Sequence, residues 1–513
     1  MKDQLQKFAE TRPEGACWTQ CHAPYESMYF GTRGEVIACC YNRSNPLGHY
    51  PEKSLREIWD GKTARKLRTD MLSDSSLPMG CDLCASQVQA GNFSGLHAAK
   101  YDLYAGEQQA GLRDKTGGIV TSGGELQKTY PSIMEFELSN SCNLECVMCH
   151  GGFSSSIRKN REGLDPLPNP YDEKFVSQLD EFIPHLTDSK FLGGEPFLIG
   201  IYYDIWDRMI ELNPSILTHI TTNGSILNPR VKRVVEKLNV FMIMSIDSMV
   251  RETYDKIRIN SNFDQVQESI EYYYATTRAK GSSIGFATCP MTSNWHEMPD
   301  LVEYCNQKEI SIYFNTVIFP RECSLQSYSS AELDKVIAHF ESNSPAEGSL
   351  NWQPLSDLIN QCRHWRNEAR SREDNPQDDA LGWTLYPNSA IQARPRIKEL
   401  QKLFSERWED RSDLEKDLRT FRADCPDDFV FVRAFLYGAA YAYADRESVD
   451  PDTSVILRKK AEFLIANYEN FSDRDAYADR LLTTDPRETM RLVHGTAIDR
   501  LKLSPANIFA AVS

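Results

Sequence analysis

Three cysteines, Cys142, Cys146 and Cys149, stand in a C-x3-C-x2-C array directly after an apolar run, Ile133 to Leu138. Three thiolates on one short loop can hold three irons of a [4Fe–4S] cube. A structural cluster takes four cysteines, so the missing fourth ligand is informative: the last iron is open to a small chelating molecule. A zinc loop is the other chemistry such thiols serve. A second group of thiols lies upstream: Cys17, Cys21, Cys39, Cys40, Cys81 and Cys84. Cys81-Asp82-Leu83-Cys84 is a C-x2-C knuckle, both of whose sulfurs can face one metal. Spacing alone does not choose between zinc and iron–sulfur there. The remaining five, Cys289, Cys305, Cys323, Cys362 and Cys425, are scattered.

Placing these thiols requires a scaffold, and the chain supplies a legible one. After Pro131, short apolar runs alternate with longer amphipathic stretches, the βα signature of a parallel sheet. The runs are Ile133–Asn140, Lys190–Gly193, Thr218–Asn223, Phe241–Asp247, Ser283–Cys289 and Ile312–Ile318. Lys174–Leu186, Tyr202–Leu212, Pro229–Leu238 and Phe263–Lys280 between them have helical length and period. The expected fold class is α/β, a partial TIM-like (βα)6 barrel. Barrel chemistry sits at the C-terminal strand ends. The first run ends at the cysteine loop. The second ends in Gly193-Gly194-Glu195-Pro196, where two glycines admit a ligand close to the backbone and a carboxylate can accept from an ammonium. The third ends in Thr221-Thr222-Asn223-Gly224, which also reads as a plain Asn-Gly turn. The fourth ends in Ser245-Ile246-Asp247-Ser248, with Ser245 and Asp247 pointing the same way; Asp247 could instead cap the next helix. Tyr254-Asp255-Lys256-Ile257-Arg258 follows, its arginine a fork for a carboxylate or a solvated helix residue. Asn294, Asn315 and Cys323 line the cavity or serve as loop and capping residues.

The cluster loop, GGEP, TNG, S-x-D and Y-x-x-I-R occur in this order, and in this the core resembles the radical S-adenosylmethionine (SAM) superfamily. The resemblance implies that the open iron is chelated by the amino and carboxylate groups of SAM. Reduction then yields methionine and a 5′-deoxyadenosyl radical that removes hydrogen from a substrate. It also implies Gly193, Gly194 and Glu195 at the SAM amino group, Asn223 beside them, Ser245 and Asp247 at the ribose, and Arg258 at the carboxylate. One departure is Met148, where the family usually has an aromatic residue. Upstream, Phe30 to Cys39 reads as a hairpin, and Ser54 to Gly61 as a short helix with Ser54 at its N-cap. Cys21, Gly34, Cys39, Leu55, Ile58, Trp59, Cys81 and Cys84 together resemble the SPASM or twitch auxiliary-cluster modules. That resemblance implies an auxiliary cluster, expected as [4Fe–4S], on Cys21, Cys39, Cys81 and Cys84, with Cys17 and Cys40 as spare thiols. The module usually follows the radical core; here it precedes it.

With 513 residues the chain is too long for one ordinary core. The expected domains are the cysteine module at 1–90, a linker at 91–130, the core at 131–323 and a helical region at 324–513. In the last, Ala331–Glu341, Arg396–Trp408, Asp413–Phe421, Val430–Tyr443 and Ser454–Tyr468 read as helices, and the run Phe429 to Ala444 as helix–helix core. Pro345, Pro354, Pro376 and Pro395 punctuate them. A net charge of −16 argues against general nucleic-acid binding, which needs a basic face. No long uncharged apolar window and no signal-peptide core are present, so a cytoplasmic, reducing setting without membrane insertion is expected. The expected function is a radical SAM enzyme acting on a peptide, as a ribosomal peptide maturase, with a reductant such as flavodoxin or ferredoxin. The alternatives are a dehydrogenase or rearrangement enzyme for a small molecule such as a sugar, and a non-catalytic zinc or iron–sulfur binding protein.

Overall fold

The structure, a computed structural model, describes residues 2–13, 15–43, 45–73, 77–78, 81–89, 93, 96–104, 121–122, 125–126, 129–163, 165–317, 320–374, 387–408, 412–425, 428–447, 457, 460–461, 464–465 and 474–495. It divides into two compact units. One comprises Lys2–Pro78 with Leu96–Pro376, the other Met79–Gly95 with Gln377–Ser513.

The first unit is built on one nine-stranded sheet. Its strands are β1 (Ser27–Phe30), β2 (Glu35–Ile37), β3 (Gly48–His49), β4 (Ile133–Phe136), β5 (Asp188–Phe191), β6 (Leu217–Thr222), β7 (Asn239–Ser245), β8 (Ile284–Thr288) and β9 (Ser311–Phe314). Strands β4 to β9 are parallel and lie in chain order. The connecting segments Glu173–Leu179, Gly200–Leu212, Pro229–Lys237, Phe263–Ala279 and Met298–Gln307 are helical, as βα crossovers require. The apolar runs outlast the strands: the chain leaves the sheet at Phe136 and Ser245, and the residues beyond form the site.

Burial alternates along β6 and β7, with Thr218, Ile220 and Thr222, then Val240, Met242 and Met244, covered and their neighbours half-exposed. The covered face is aromatic at its centre. Phe30, Phe136 and Phe191 are paired in register across β1, β4 and β5, with ring centroids 5.3 and 4.8 Å apart. Phe175 and Trp206 close over them from two crossover helices. The opposite face is polar. Tyr101 donates to Glu135 at 2.8 Å, Lys190 pairs with Glu135 at 3.2 Å and Arg43 with Glu137 at 3.0 Å. This is why β4 is buried on both sides although it carries Glu135 and is followed by Glu137.

The upstream hairpin is part of this sheet. β1 pairs parallel to β4 with Ser27 opposite Ile133, and β2 and β3 extend the edge antiparallel. A division between 1–90 and 131–323 therefore crosses continuous hydrogen bonding. The hairpin turn needs Gly34: its φ is +90° and a Cβ there would lie 2.1 Å from the Tyr50 carbonyl oxygen. Leu55–Trp59 is helical, with a reciprocal capping box between Ser54 and Glu57. Helices Ser330–Ser342 and Trp352–Asp374 also fall in this unit. His97–Tyr104 forms a 3₁₀ helix; most of the rest of the expected linker lies outside the described residues.

In the second unit, helix Asp428–Arg446 is buried nearly all round. Helices Pro387–Glu406, Leu414–Ala423, Arg474–Thr483 and Pro486–Gly495 contribute to its apolar core. The run Phe429 to Ala444 is thus helix–helix core. Of the expected helix Ser454–Tyr468, most lies outside the described residues. Among the described residues no helix is long and apolar enough to cross a membrane.

Candidate active site

The loop carrying Cys142, Cys146 and Cys149 leaves β4 and is held by three neighbours. The N–H groups of Glu145 and Val147 donate to the carbonyls of Ile259 and Ile257, each at 3.0 Å. Ser155 Oγ accepts from the Cys142 N–H at 3.1 Å, Ser156 Oγ donates to the Cys142 carbonyl at 2.8 Å, and Ser154 Oγ donates to the Leu144 carbonyl at 2.7 Å. Gly194 N donates to Ser139 O at 3.0 Å and Glu195 N to Ser141 O at 2.7 Å.

The third contact gives the two glycines a reason that ligand approach alone did not supply. A Cβ on Gly193 would lie 2.6 Å from Ser139 O, and one on Gly194 2.2 Å from Ser141 O. The second strand end packs on the backbone of the cysteine loop. Gly194→Ala should therefore push that loop away, and we expect reconstituted iron to fall by up to half relative to wild type. Full iron loading in G194A would contradict this.

Glu195 is fully buried. Its Oε1 accepts from Thr222 Oγ1 at 2.7 Å and from Phe197 N at 3.2 Å, and its Oε2 from Asn223 N at 2.7 Å. The carboxylate ties the second strand end to the third, with one acceptor direction on Oε2 uncommitted in these bonds. Burial, outweighing these donors, pushes its carboxyl up from 4.5 to about 7. A raised native value means that the stability this group contributes is complete below 4.5 and is lost as pH rises to about 7. At about 1.4 kcal/mol per unit this is about 3 kcal/mol. Urea titrations between these limits should show it in wild type, and a flatter dependence in Glu195→Gln.

Asn223 Nδ2 lies 3.9 Å from Cys142 Sγ and 3.2 Å from Asn143 Oδ1. Ser245 closes β7 on its half-exposed face. Asp247 and Arg258, expected at separate parts of one ligand, are brought together. Arg258 Nε donates to Asp247 Oδ2 at 2.6 Å, while Asp247 Oδ1 accepts from Cys289 N at 2.8 Å. Arg258 Nη1 lies 3.8 Å from Cys146 Sγ. Asp247 is not a helix cap; the following helix, Arg251–Ile257, begins after Val250. Arg258 is not a solvated helix residue, its side chain being 10% exposed. Asn294 is a loop tie, donating to Asp247 O at 2.8 Å and Cys289 O at 3.1 Å. Cys323 and Met148 pack against Ile257, Met291 and Val317, so the methionine fills an apolar niche under the loop.

Burial pushes the Cys142 thiol up to about 11 and the Cys149 thiol to about 12. Cys146 is also raised by burial, with Arg258 opposing. Cationic iron supplies the countercharge that ionises such thiols. The donors already in place fit bound sulfur: Leu144 N at 3.5 Å and Asn223 Nδ2 on Cys142, Arg258 Nη1 on Cys146. Among the described residues no three His, Cys, Asp or Glu side chains converge on a single-ion site; a cube asks instead for one thiolate on each of three irons.

Of the auxiliary candidates, Cys21 is buried just before helix Ala23–Glu26, and Cys39 follows β2, both in the first unit. The adjacent Cys40 lies 3.4 Å from His97 Nε2. Cys81 and Cys84 belong to the second unit, where helix Asp82–Gln89 begins just after Cys81. Ser154 to Ser156 were not singled out from the sequence. The serine run and its helix-capping position were the available signal for them.

Comparison with known proteins fits this geometry. The radical SAM superfamily model matches residues 136–316, and the iron–sulfur cluster-binding domain model, SPASM, matches residues 21–85. A GTP 3′,8-cyclase of Limosilactobacillus fermentum is 25% identical over 195 residues, covering 35% of this chain and 52% of the relative. The AdoMet-dependent heme synthase of Methanosarcina barkeri is 30% identical over 132 residues, covering 25% and 34%. The radical SAM cyclopropyl synthase TigE of Paramaledivibacter caminithermalis is 27% identical over 134 residues, covering 22% and 27%. The chain thus spans about half the length, or less, of these curated relatives. Streptococcus suis SuiB bound to S-adenosylmethionine superposes loosely, with a TM-score of 0.32 and 14% identity over 53% of this chain and 61% of that one. The two matched domains bring a [4Fe–4S] cluster with SAM and an auxiliary iron–sulfur cluster, which removes the zinc reading. The chain thus carries a radical SAM domain over residues 136–316, with a SPASM domain placed ahead of it over residues 21–85.

Proposed function

We propose that this enzyme abstracts hydrogen from a peptide, using SAM bound among Cys142, Cys146, Cys149, Gly193, Gly194, Glu195, Asn223, Ser245, Asp247 and Arg258. The observation that carries the site is the convergence of the cysteine loop, the Gly193–Glu195 turn, Asn223 and the Asp247–Arg258 pair beyond β4 to β7. When bound, the reduced cluster supplies the electron that splits SAM to methionine and a 5′-deoxyadenosyl radical. The protein orients and excludes water. Glu195 Oε2 keeps an acceptor direction for an ammonium. Arg258 keeps Nη2 for a carboxylate, since its Nε and Nη1 face Asp247 and Cys146. Ser245 faces the half-exposed side of β7, suited to a ribose hydroxyl.

The auxiliary cluster is assigned to Cys21, Cys39, Cys81 and Cys84 on the match over 21–85, and serves as acceptor for the substrate-radical electron or as a substrate holder. A flavodoxin- or ferredoxin-like donor in the cytoplasm completes the assignment. The peptide reading rests on the likeness of the cysteine module to those of peptide maturases. A small-molecule substrate is the second reading, favoured by relatives whose names give a nucleotide cyclase and a heme synthase. Anaerobic incubation with SAM and reductant separates them. Short peptides encoded beside the gene should raise 5′-deoxyadenosine release and change in mass. Stimulation by GTP or a small alcohol, with no peptide response, would overturn the peptide assignment.

A further inference from the structure

The Asp247–Arg258 pair reaches a cysteine sulfur through its arginine, whose Nη1 lies 3.8 Å from Cys146 Sγ. Arg258 lies between Ile257 and Ile259, whose carbonyls hold the Val147 and Glu145 N–H groups on either side of Cys146. Its guanidinium is aimed from one side by Asp247, itself buried and anchored by the Cys289 N–H. The other side of the fork meets Cys146 Sγ. A cation and an N–H are thus locked to one cluster ligand by the same backbone that positions that ligand.

We propose that Arg258 sets how readily the SAM-binding cluster is reduced, and that Asp247 limits the effect by partly neutralising it. Adding an electron increases negative charge on the cluster and its thiolates. A fixed cation and N–H donor stabilise the reduced form more than the oxidised one, especially where water is excluded. Asp247 acts in the opposite sense while holding the guanidinium in place. The inference rests on Cys142, Cys146 and Cys149 carrying a reducible cluster. Iron content and the low-temperature electron paramagnetic resonance (EPR) signal of the reduced enzyme test that premise separately.

The experiment is an EPR-monitored redox titration of the full-length, iron-loaded enzyme without SAM. The SAM-binding cluster is identified afterwards as the signal that changes on adding SAM to wild type. In Arg258→Gln the equilibrium constant for reduction should fall about tenfold, a midpoint about 59 mV more negative for one electron. In Asp247→Asn, close in shape but uncharged, the midpoint should move in the positive direction. Opposite shifts support the proposal, because a structural lesion in the loop would not reverse sign between the two. Unchanged midpoints, or shifts in the same direction, overturn it. So does a variant set in which only the SAM-induced spectral change is lost, since Arg258 would then serve SAM alone. If R258Q does not retain its cluster, D247N decides: a positive shift supports the assignment, and no shift or a negative one overturns it.

Discussion

Cys146→Ala should abolish 5′-deoxyadenosine release, a loss of at least about a thousandfold, or about 4 kcal/mol of transition-state stabilisation. On the proposed assignment each of the loop's three thiols is the ligand of one iron, and removing one would leave a cube held at two corners. Cys146 is the most enclosed of the three at 8% exposure. It is flanked by the Glu145 and Val147 N–H bonds, so alanine removes the sulfur without freeing the loop to recruit another ligand. With the auxiliary cluster assigned to other residues, iron should drop from about eight to about four per chain rather than to zero. Anaerobic iron analysis and chromatography of the quenched reaction check both parts. Unchanged iron with unchanged nucleoside release would remove Cys146 from the site.

Phe30→Ala should destabilise the first unit by about 3–5 kcal/mol, although the residue lies a hundred positions before the radical SAM domain. Phe30 is fully buried, stacked on Phe136 at 5.3 Å and edge-on to Phe175 at 5.2 Å. Its strand supplies the parallel partner for all four residues of β4. A cavity there exposes the base of the strand from which the cysteine loop springs. Hydrogen exchange should report it as faster opening of the β4 and β5 amides, together with β1. If only β1 to β3 lost protection, the hairpin would be an appendage and the continuous sheet would have no energetic meaning.

Much of this site was readable from residue order. The cysteine loop, GGEP, TNG, S-x-D and Y-x-x-I-R each mark a strand end or the segment after one, and the structure places them together. Periodicity located β6 and β7 because one face of each is covered and the other half-exposed. The helix after Ser54 followed from its cap. Pairing was not readable. β1 is four residues long and buried throughout, so no alternation revealed that its partner lies past Pro131. The Asp247–Arg258 bond is a tertiary contact between two residues that each had a reasonable separate role. Trp352–Asp374 was missed because Pro354 read as a breaker; it stands in the helix's first turn, where a missing N–H costs nothing.

The central claim is that one iron of the loop cluster is left for SAM. The most direct measurement is the EPR spectrum of the dithionite-reduced enzyme with and without SAM. SAM should alter the signal of one cluster, leave the auxiliary signal unchanged, and be followed by 5′-deoxyadenosine release. A spectrum insensitive to SAM in fully iron-loaded enzyme, with no nucleoside formed, would contradict the account.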